Sequence, residues 1–344
     1  MPVNVGIIGF AHGHVGMYCT RWREQPELGV RLVAGWDHDA ARTESNGKQF
    51  EIDVAPTVDA LLGSGIDAVI IGAETAYHAD MVEQAAMAGK AIVLQKPMAL
   101  TLEDAGRIVN AVKRTGVPFT LAWQMRVDPH NLQIKALLAS GRFGRVFMVR
   151  RRHCLPTQLW PDFQNAWHVN PALNRDIFAD DASHAIDYIY WMLGMPASVT
   201  AELGSLLNPA IPNDNGIAIY RYADGAFGEV SCTFTAVAGE NTAEVICEKG
   251  VIIGNYGDLP STMAPRPAGG IQLKWYLQEE GQWTVSDIPD INGQGERIAG
   301  LAAPLAEFLQ GTRPPIATAE EGRDVLRMTL ACYDSAEQGR RISL

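Results

Sequence analysis

The chain has 344 residues and a formal net charge of −11, with 47% hydrophobic and 19% charged residues. This length is enough for two globular domains, and the residue balance excludes extended disorder. The excess of negative charge disfavours binding to nucleic acid or to an anionic membrane, so the expected partner is a small molecule.

The five cysteines are scattered along the chain and contain no Cys-x-x-Cys pair. The pattern therefore predicts neither a disulfide framework nor a zinc cluster, and we expect no metal site. The sequence runs from Met1 directly into an apolar strand, and no apolar run reaches the length of a membrane span. We expect a cytoplasmic protein with reduced thiols.

The first predicted element is a β-strand that begins at Val3 and ends in a glycine turn at Gly9. A buried strand, a glycine turn and a helix N-terminus together receive a pyrophosphate, because backbone N–H groups and the helix dipole stabilise an anion. The match to Gly-x-Gly-x-x-Gly is imperfect, because alanine and histidine hold the second and third glycine places. The alternative is an ordinary strand-to-helix turn. The predicted dinucleotide contacts are Gly9, Phe10, Ala11, His12, Gly13 and His14.

The second predicted strand, over residues 30–36, ends at Asp37. An acidic residue at this place accepts both hydroxyls of an adenosine ribose and repels a 2′-phosphate. Asp37 therefore favours NAD, with NADP as the less favoured cofactor. The alternative for Asp37 is a turn-forming role before the next helix.

Strands and helices continue to alternate as far as residue 122. Predicted strands at 66–71, 91–94 and 118–122 are separated by helices, with N-caps at Thr57 and Thr101. This rhythm predicts a parallel, doubly wound sheet that binds ligands at the carboxyl ends of its strands. The residues that fall at those ends are Asp37, Glu74, Thr75, Gln95 and Lys96.

Lys96 is the first candidate for catalysis, because lysine rarely ends a buried strand unless a partner or a task keeps it there. The alternative is a surface lysine that begins the turn at Pro97. Further along, Asp180 and His184 share a helix face at i, i+4, and Asp187 follows three residues later, where it is placed to orient the histidine ring. The alternative for this stretch is an acidic helix N-terminus and one packed histidine.

Beyond Trp123 the pattern changes to α+β. Helices are predicted at 129–140, 182–193, 296–309 and 320–339, together with a strand at 146–153 and hairpins near residues 224, 249 and 280. The prediction is a largely antiparallel open sheet with helices. We assign residues 1–124 to a dinucleotide-binding Rossmann domain and 125–344 to a substrate-binding and oligomerisation domain.

Several stretches, taken in order, resemble the Gfo/Idh/MocA family of NAD(P)-dependent oxidoreductases, which includes the glucose–fructose and inositol dehydrogenases. Gln95-Lys96-Pro97 is similar to the family's Glu-Lys-Pro, and 180–187 is similar to its Asp-x-Gly-x-His-x-x-Asp, with alanine for the glycine. The other stretches are 6–9, 75–78, 88–90 and 116–118 followed by Arg126. The resemblance implies catalytic positions at Lys96, Asp180 and His184, cofactor positions at Gly9, Asp37, Thr75 and His78, and a cis peptide bond before Pro97.

The family implies hydride transfer between nicotinamide and a secondary hydroxyl or ketone of a sugar, cyclitol or related polyol. His184 is expected to accept the hydroxyl proton, Lys96 to stabilise negative charge on oxygen, and Asp180 to support the pair. Expected substrate contacts are Lys96, Arg126, His153, Trp167, Asp180 and His184. A homodimer or homotetramer through the C-terminal sheet is also expected. Two alternatives stay open: a glycoside hydrolase or lyase that oxidises its substrate transiently with NAD, and a cofactor-binding regulator without turnover.

Overall fold

A computed structural model describes residues 1–255, 264, 268–291 and 293–344 of the chain. It divides into two compact units. Unit 1 comprises 1–124, 172–174 and 297–326, and unit 2 comprises 125–171, 175–296 and 327–344. Two segments that follow the predicted junction thus belong to unit 1. Within that unit, the indole N–H of Trp22 donates to the Ala302 carbonyl at 2.7 Å.

Unit 1 is built on a six-stranded parallel sheet with the order β3-β2-β1-β4-β5-β6. The strand order reverses between β1 and β4, which is the point where doubly wound sheets bind dinucleotides. The predicted Rossmann architecture is confirmed. The strands are β1 Val3–Ile8, β2 Val30–Trp36, β3 Asp53–Val54, β4 Ala68–Ile71, β5 Ala91–Leu94 and β6 Phe119–Leu121.

The helices lie within a residue or two of their predicted places, with one exception. Thr57 and Thr101 cap helices through their hydroxyls, and Gly116 ends a helix at a φ of +69°. The prediction of one helix over 296–309 is wrong: two helices flank Gly300, whose low helix propensity favours an interruption. The helices are α1 His14–Glu24, α2 Ala40–Phe50, α3 Val58–Leu62, α4 His78–Met87, α5 Leu102–Thr115, α6 Pro129–Ala139, α7 Ser183–Leu193, α8 Gln294–Ala299, α9 Ala302–Leu309 and α10 Ala319–Gln338.

Unit 2 contains a nine-stranded sheet with the order β14-β13-β12-β11-β7-β10-β9-β8-β15. Strands β7 and β10 pair in parallel, and the remaining neighbours pair antiparallel, so the predicted largely antiparallel sheet is confirmed. The strands are β7 Val146–Cys154, β8 Ser198–Gly204, β9 Asn215–Arg221, β10 Phe227–Thr233, β11 Thr242–Cys247, β12 Gly250–Asn255, β13 Leu273–Leu277, β14 Gln282–Val285 and β15 Ile342–Ser343.

One face of this sheet is buried against α7. Alternate residues of β7 and β10 point to that face, and a side chain at Gly228 would come within 2.5 Å of Ile189 in the helix. A five-residue π-helix, Phe178–Ala182, leads into α7. The opposite face, which we call the outer face, holds the other half of the strand residues. In the part of the chain that the structure describes, no helix is long and apolar enough to cross a membrane.

Candidate active site

The turn after β1 requires glycine at its first position. Gly9 has a φ of +84°, and a Cβ there would lie 2.4 Å from the backbone nitrogen of Ala73, at the end of β4. Gly13 is the N-cap of α1, and a Cβ at Gly13 would meet no described atom within 4 Å. The loop is therefore packed closely at its start and has space at the helix N-terminus, where an anion is stabilised.

The rest of this loop is held by the neighbouring strand ends. The Phe10 N–H donates to Asp37 Oδ2 at 2.7 Å, and the His12 N–H donates to the Gly72 carbonyl at 2.9 Å. The Phe10 ring stacks on Phe50, so this residue presents its backbone to the loop and its ring to the interior. The His12 and His14 rings contact each other edge to face, 4.5 Å between centroids.

The loop after β4 is joined to later parts of unit 1. The Thr75 hydroxyl donates to Asn174 Oδ1 at 2.5 Å. The ring nitrogens of His78 lie 3.0 Å from the Pro97 carbonyl and 3.1 Å from the Ala73 carbonyl. Burial lowers the pKa of His78, although these carbonyls favour its charged form. His78 was predicted near the cofactor, and its contacts hold the β4 loop against the loop that contains Lys96.

Lys96 and Gln95 are buried at the end of β5. Lys96 is 3% exposed, and its bond to Pro97 is cis, as predicted. Gln95 donates its amide N–H to the Tyr18 hydroxyl at 2.8 Å. Lysine is rarely this buried without a function or a partner, so its position at the carboxyl end of a parallel strand agrees with a role at a ligand site.

Unit 1 has the features needed to hold NAD. In addition to the close turn at Gly9, unit 1 has two buried acceptor atoms with no hydrogen-bond partner among the described residues. They are Glu74 Oε2 after β4 and Gln95 Oε1 after β5. Ribose hydroxyls and the nicotinamide carboxamide are donors that suit such acceptors. Asp37, buried at the end of β2, supplies a carboxylate at the place expected for the adenosine ribose.

In unit 2, β7 and α7 bring two pairs of side chains together. The Arg151 guanidinium lies 5.1 Å from the Tyr188 ring centroid, and the His153 and His184 rings are 5.9 Å apart. Arg151 and His153 are two residues apart in β7, and His184 and Tyr188 are four residues apart in α7. Both separations correspond to about 6 Å along the element, so each β7 side chain lies opposite one α7 side chain. The sheet thereby fixes His184 on the buried face.

Two adjacent carboxylates meet histidines here. Asp181 Oδ1 lies 3.5 Å from His184 Nε2 and 3.7 Å from His153 Nε2. Asp180 Oδ2 lies 2.6 Å from His168 Nδ1. The sequence predicts that Asp180 and His184 share a helix face. The structure places Asp181 close to both His184 and His153, and it places Asp180 against His168. The described residues contain no group of three or more His, Cys, Asp or Glu side chains that could hold a metal ion.

Two other predicted residues have structural partners in unit 2. Arg126 donates to Asp187 from Nε at 3.1 Å and from Nη2 at 2.7 Å, and both side chains are buried. Asp187, predicted to orient His184, is thus the counter-ion of Arg126. The Trp167 ring stacks on His168, with 4.0 Å between the ring centroids.

Sequence reasoning did not select Arg151, His168 and Asp181 as site residues. It also did not select Arg42, whose Nη2 lies 2.8 Å from Asp37 Oδ1. A signal existed for Arg42, which lies in the first turn of α2, five residues after Asp37. A signal also existed for Arg151, which stands two residues before His153 in the predicted strand 146–153 and therefore shares a face with it.

The comparisons with known proteins agree with this geometry. Residues 3–122 match the family model for the GFO/IDH/MocA oxidoreductases with an NAD-binding Rossmann fold, and residues 131–253 match a GFO/IDH/MocA C-terminal domain. Inositol 2-dehydrogenase of Rhizobium meliloti is 30% identical over 73% of this chain and 75% of its own length.

Two further relatives cover nearly the whole chain. The scyllo-inositol 2-dehydrogenase (NAD(+)) of Bacillus subtilis is 28% identical over 99% of this chain and 96% of its own length. The structure of the WlbA dehydrogenase from Bordetella pertussis, in complex with NADH and UDP-GlcNAcA, has a TM-score of 0.81 at 22% identity, covering 100% of this chain and 99% of that one. The latter shows a shared fold.

These matches confirm the resemblance and the predicted fold class, enzyme class and nicotinamide cofactor. The chain belongs to the GFO/IDH/MocA family of oxidoreductases and carries that family's NAD-binding Rossmann domain.

Proposed function

We propose that this enzyme transfers a hydride between NAD and a secondary hydroxyl or ketone of a cyclitol, sugar or related polyol. The observation that supports this most is that Lys96 and His184, which the resemblance to the family implies to be catalytic, are both buried. The relatives named inositol 2-dehydrogenase and scyllo-inositol 2-dehydrogenase support the substrate class.

In the direction of oxidation, the substrate's carbinol carbon loses a hydride and its hydroxyl loses a proton. NAD supplies the hydride acceptor when bound, with the loop 9–14 proposed to hold its pyrophosphate and Asp37 its adenosine ribose. His184 accepts the hydroxyl proton as general base, and Lys96 stabilises the negative charge that develops on oxygen. Asp181, close to His184, supports the positive charge that the ring gains.

Three of the remaining predicted residues, Asp180, Trp167 and His153, are proposed to position the substrate. Asp180 is fixed by His168, and the adjacent Trp167 ring offers an aromatic face that suits the C–H face of a polyol. His153 shares Asp181 with His184, so it belongs to the same network. Arg126 acts indirectly in this proposal: its charge is met by Asp187, and its buried ion pair stabilises the helix that contains His184.

The direct test measures absorbance in the reduced-nicotinamide band. The purified protein is incubated with NAD, and then with NADP, in the presence of a panel of inositols, aldoses and sugar acids. We expect NADH to form with at least one polyol. Release of a free leaving group from a glycoside, without net NADH, would contradict the dehydrogenase and identify a hydrolase or lyase that oxidises transiently. Bound NAD with neither product would identify a regulator.

We propose further that two copies of this chain meet through the outer face of the nine-stranded sheet. Strands β9 and β14 present exposed apolar side chains to that face, with Ile217 at 52%, Ile219 at 44% and Trp283 at 49%. A self-complementary contact would remove this surface from water. Light scattering should give the mass of a dimer or tetramer, and Ile217→Glu should lower it; a monomeric parent would contradict the proposal.

We propose that the enzyme is cytoplasmic, because its cysteines are free thiols, as expected in a reducing compartment. All five are buried free thiols. Burial raises the pKa of the Cys19 and Cys232 thiols and that of the Cys247 thiol to about 11, which keeps them protonated.

A further inference from the structure

An arginine bridges two carboxylates at the carboxyl ends of β2 and β4. Arg42 Nη2 lies 2.8 Å from Asp37 Oδ1, and Arg42 Nη1 donates to Glu74 Oε1 at 2.9 Å. Partial burial alone would lower the pKa of the Arg42 guanidinium, but the hydrogen bonds to both carboxylates raise it above its ordinary value. The guanidinium is therefore a fixed positive charge between the two strand ends.

Asp37 is held by more than this arginine. Its Oδ2 accepts the Phe10 N–H at 2.7 Å, and its Oδ1 accepts the Asp39 N–H at 2.8 Å. The carboxylate is thus tied both to the phosphate-binding turn and to the start of α2. Its orientation does not depend on Arg42 alone, so an arginine that moved away would leave Asp37 in place.

The Glu74 carboxylate depends on Arg42 more than the Asp37 carboxylate does. Glu74 is 3% exposed, and its second oxygen, Oε2, has no hydrogen-bond partner among the described residues. His38 lies nearby, with its ring nitrogens 3.4 Å from Asp37 and 3.7 Å from Glu74, and its ring contacts Tyr77. Two carboxylates and one guanidinium leave one net negative charge around the bridge when His38 is neutral.

The bridge stands where the adenosine half of a dinucleotide binds. Strands β2 and β4 flank β1, whose turn receives the pyrophosphate, and the acidic residue that ends β2 meets the ribose. An arginine near that ribose is the group that accommodates the 2′-phosphate of NADP. Arg42 has the chemistry for that task, but Glu74 and Asp37 occupy its guanidinium.

We propose that Glu74 is a specificity-determining residue: by holding Arg42 in the bridge, it withholds from a 2′-phosphate a positive charge that would accept it. The chain then rejects NADP for two reasons, the charge of Asp37 and the capture of Arg42. This inference rests on the proposed function, in which NAD binds along this edge of unit 1.

The test is a fluorescence titration that gives the Kd for NADH and for NADPH separately. Glu74→Gln keeps the size of the side chain but removes its charge. We expect it to keep NADH affinity within a few-fold and to improve the affinity for NADPH relative to NADH about tenfold, because one repulsive charge is lost and Arg42 keeps only one of its two carboxylate partners, Asp37. Adding Arg42→Ala to Glu74→Gln should abolish the gain.

Glu44→Gln is the matched control, because Glu44 is also a carboxylate of this region but pairs with Lys48 on the surface of α2. It should leave the NADPH-to-NADH ratio unchanged. An unchanged ratio in Glu74→Gln, or a gain that survives the loss of Arg42, would overturn the proposal.

The single variant Arg42→Ala is a second test of the proposal, and it applies even if Glu74→Gln fails to fold. It should shift the ratio further against NADPH, since it removes positive charge beside two carboxylates, and a shift toward NADPH would overturn the proposal. A parent that binds neither nucleotide would instead contradict the proposed function.

Discussion

Replacing His184 or Lys96 with alanine should lower kcat about a hundred- to ten-thousand-fold, which is the usual effect of removing a group that transfers a proton or stabilises developing charge. His184→Ala removes the general base, and Lys96→Ala removes the positive charge that stabilises the developing alkoxide. Binding of NADH should persist in both variants, because the turn at Gly9 and the Asp37 carboxylate are untouched. Steady-state rates with the polyol found in the absorbance panel, together with an NADH titration, provide the measurement.

Lys113→Ala is the matched control for the lysine. Lys113 lies in α5, is exposed and pairs with Glu320, so its removal should leave kcat within a few-fold of the parent. If both Lys96→Ala and His184→Ala retained turnover within a few-fold of the parent, the catalytic assignment would be wrong. A selective loss in one variant would assign the chemistry to that residue alone.

The Rossmann unit was predictable because the ends of its helices and strands are determined by residues that are close in sequence. Thr57 and Thr101 each cap a helix, and Gly116 ends one in the left-handed conformation that favours glycine. The strands between them are short apolar runs, and their alternation with helices leaves few topologies. The helices and strands of residues 3–122 could therefore be predicted from short stretches of neighbouring residues.

The details of the clusters could not be predicted in the same way, because they depend on pairs far apart in the chain. Arg126 and Asp187 are 61 residues apart, and Arg42 and Glu74 are 32 apart. The spacing of a regular helix also fails before α7, where the π-helix over 178–182 changes the rotation per residue. A regular helix makes residues three and four apart both neighbours, so the period alone could not choose between Asp181 and Asp180 as the carboxylate near His184.

The ion pair of Arg126 and Asp187 gives the largest expected effect on stability. Asp187→Ala should lower the free energy of unfolding by about 3–5 kcal/mol, because it leaves a guanidinium buried without the carboxylate that compensates its charge. The Arg126 and Asp187 side chains are 3% and 0% exposed, so water cannot replace the lost partner. The midpoint of urea unfolding, followed by the fluorescence of the tryptophans, measures the change.

Two further variants distinguish the effect of the uncompensated charge from the effect of lost packing. Replacing both partners, Arg126→Met with Asp187→Leu, removes the uncompensated charge and should recover much of the stability that Asp187→Ala loses. Glu279→Ala breaks the exposed pair with Arg142 and should hardly move the midpoint, since solvent screens that interaction. If Asp187→Ala unfolded at the same urea concentration as Glu279→Ala, the buried pair would not be what stabilises α7. The proposed indirect role of Arg126 in holding His184 would then have to be abandoned, while the direct role of His184 would still be decided by its own alanine variant.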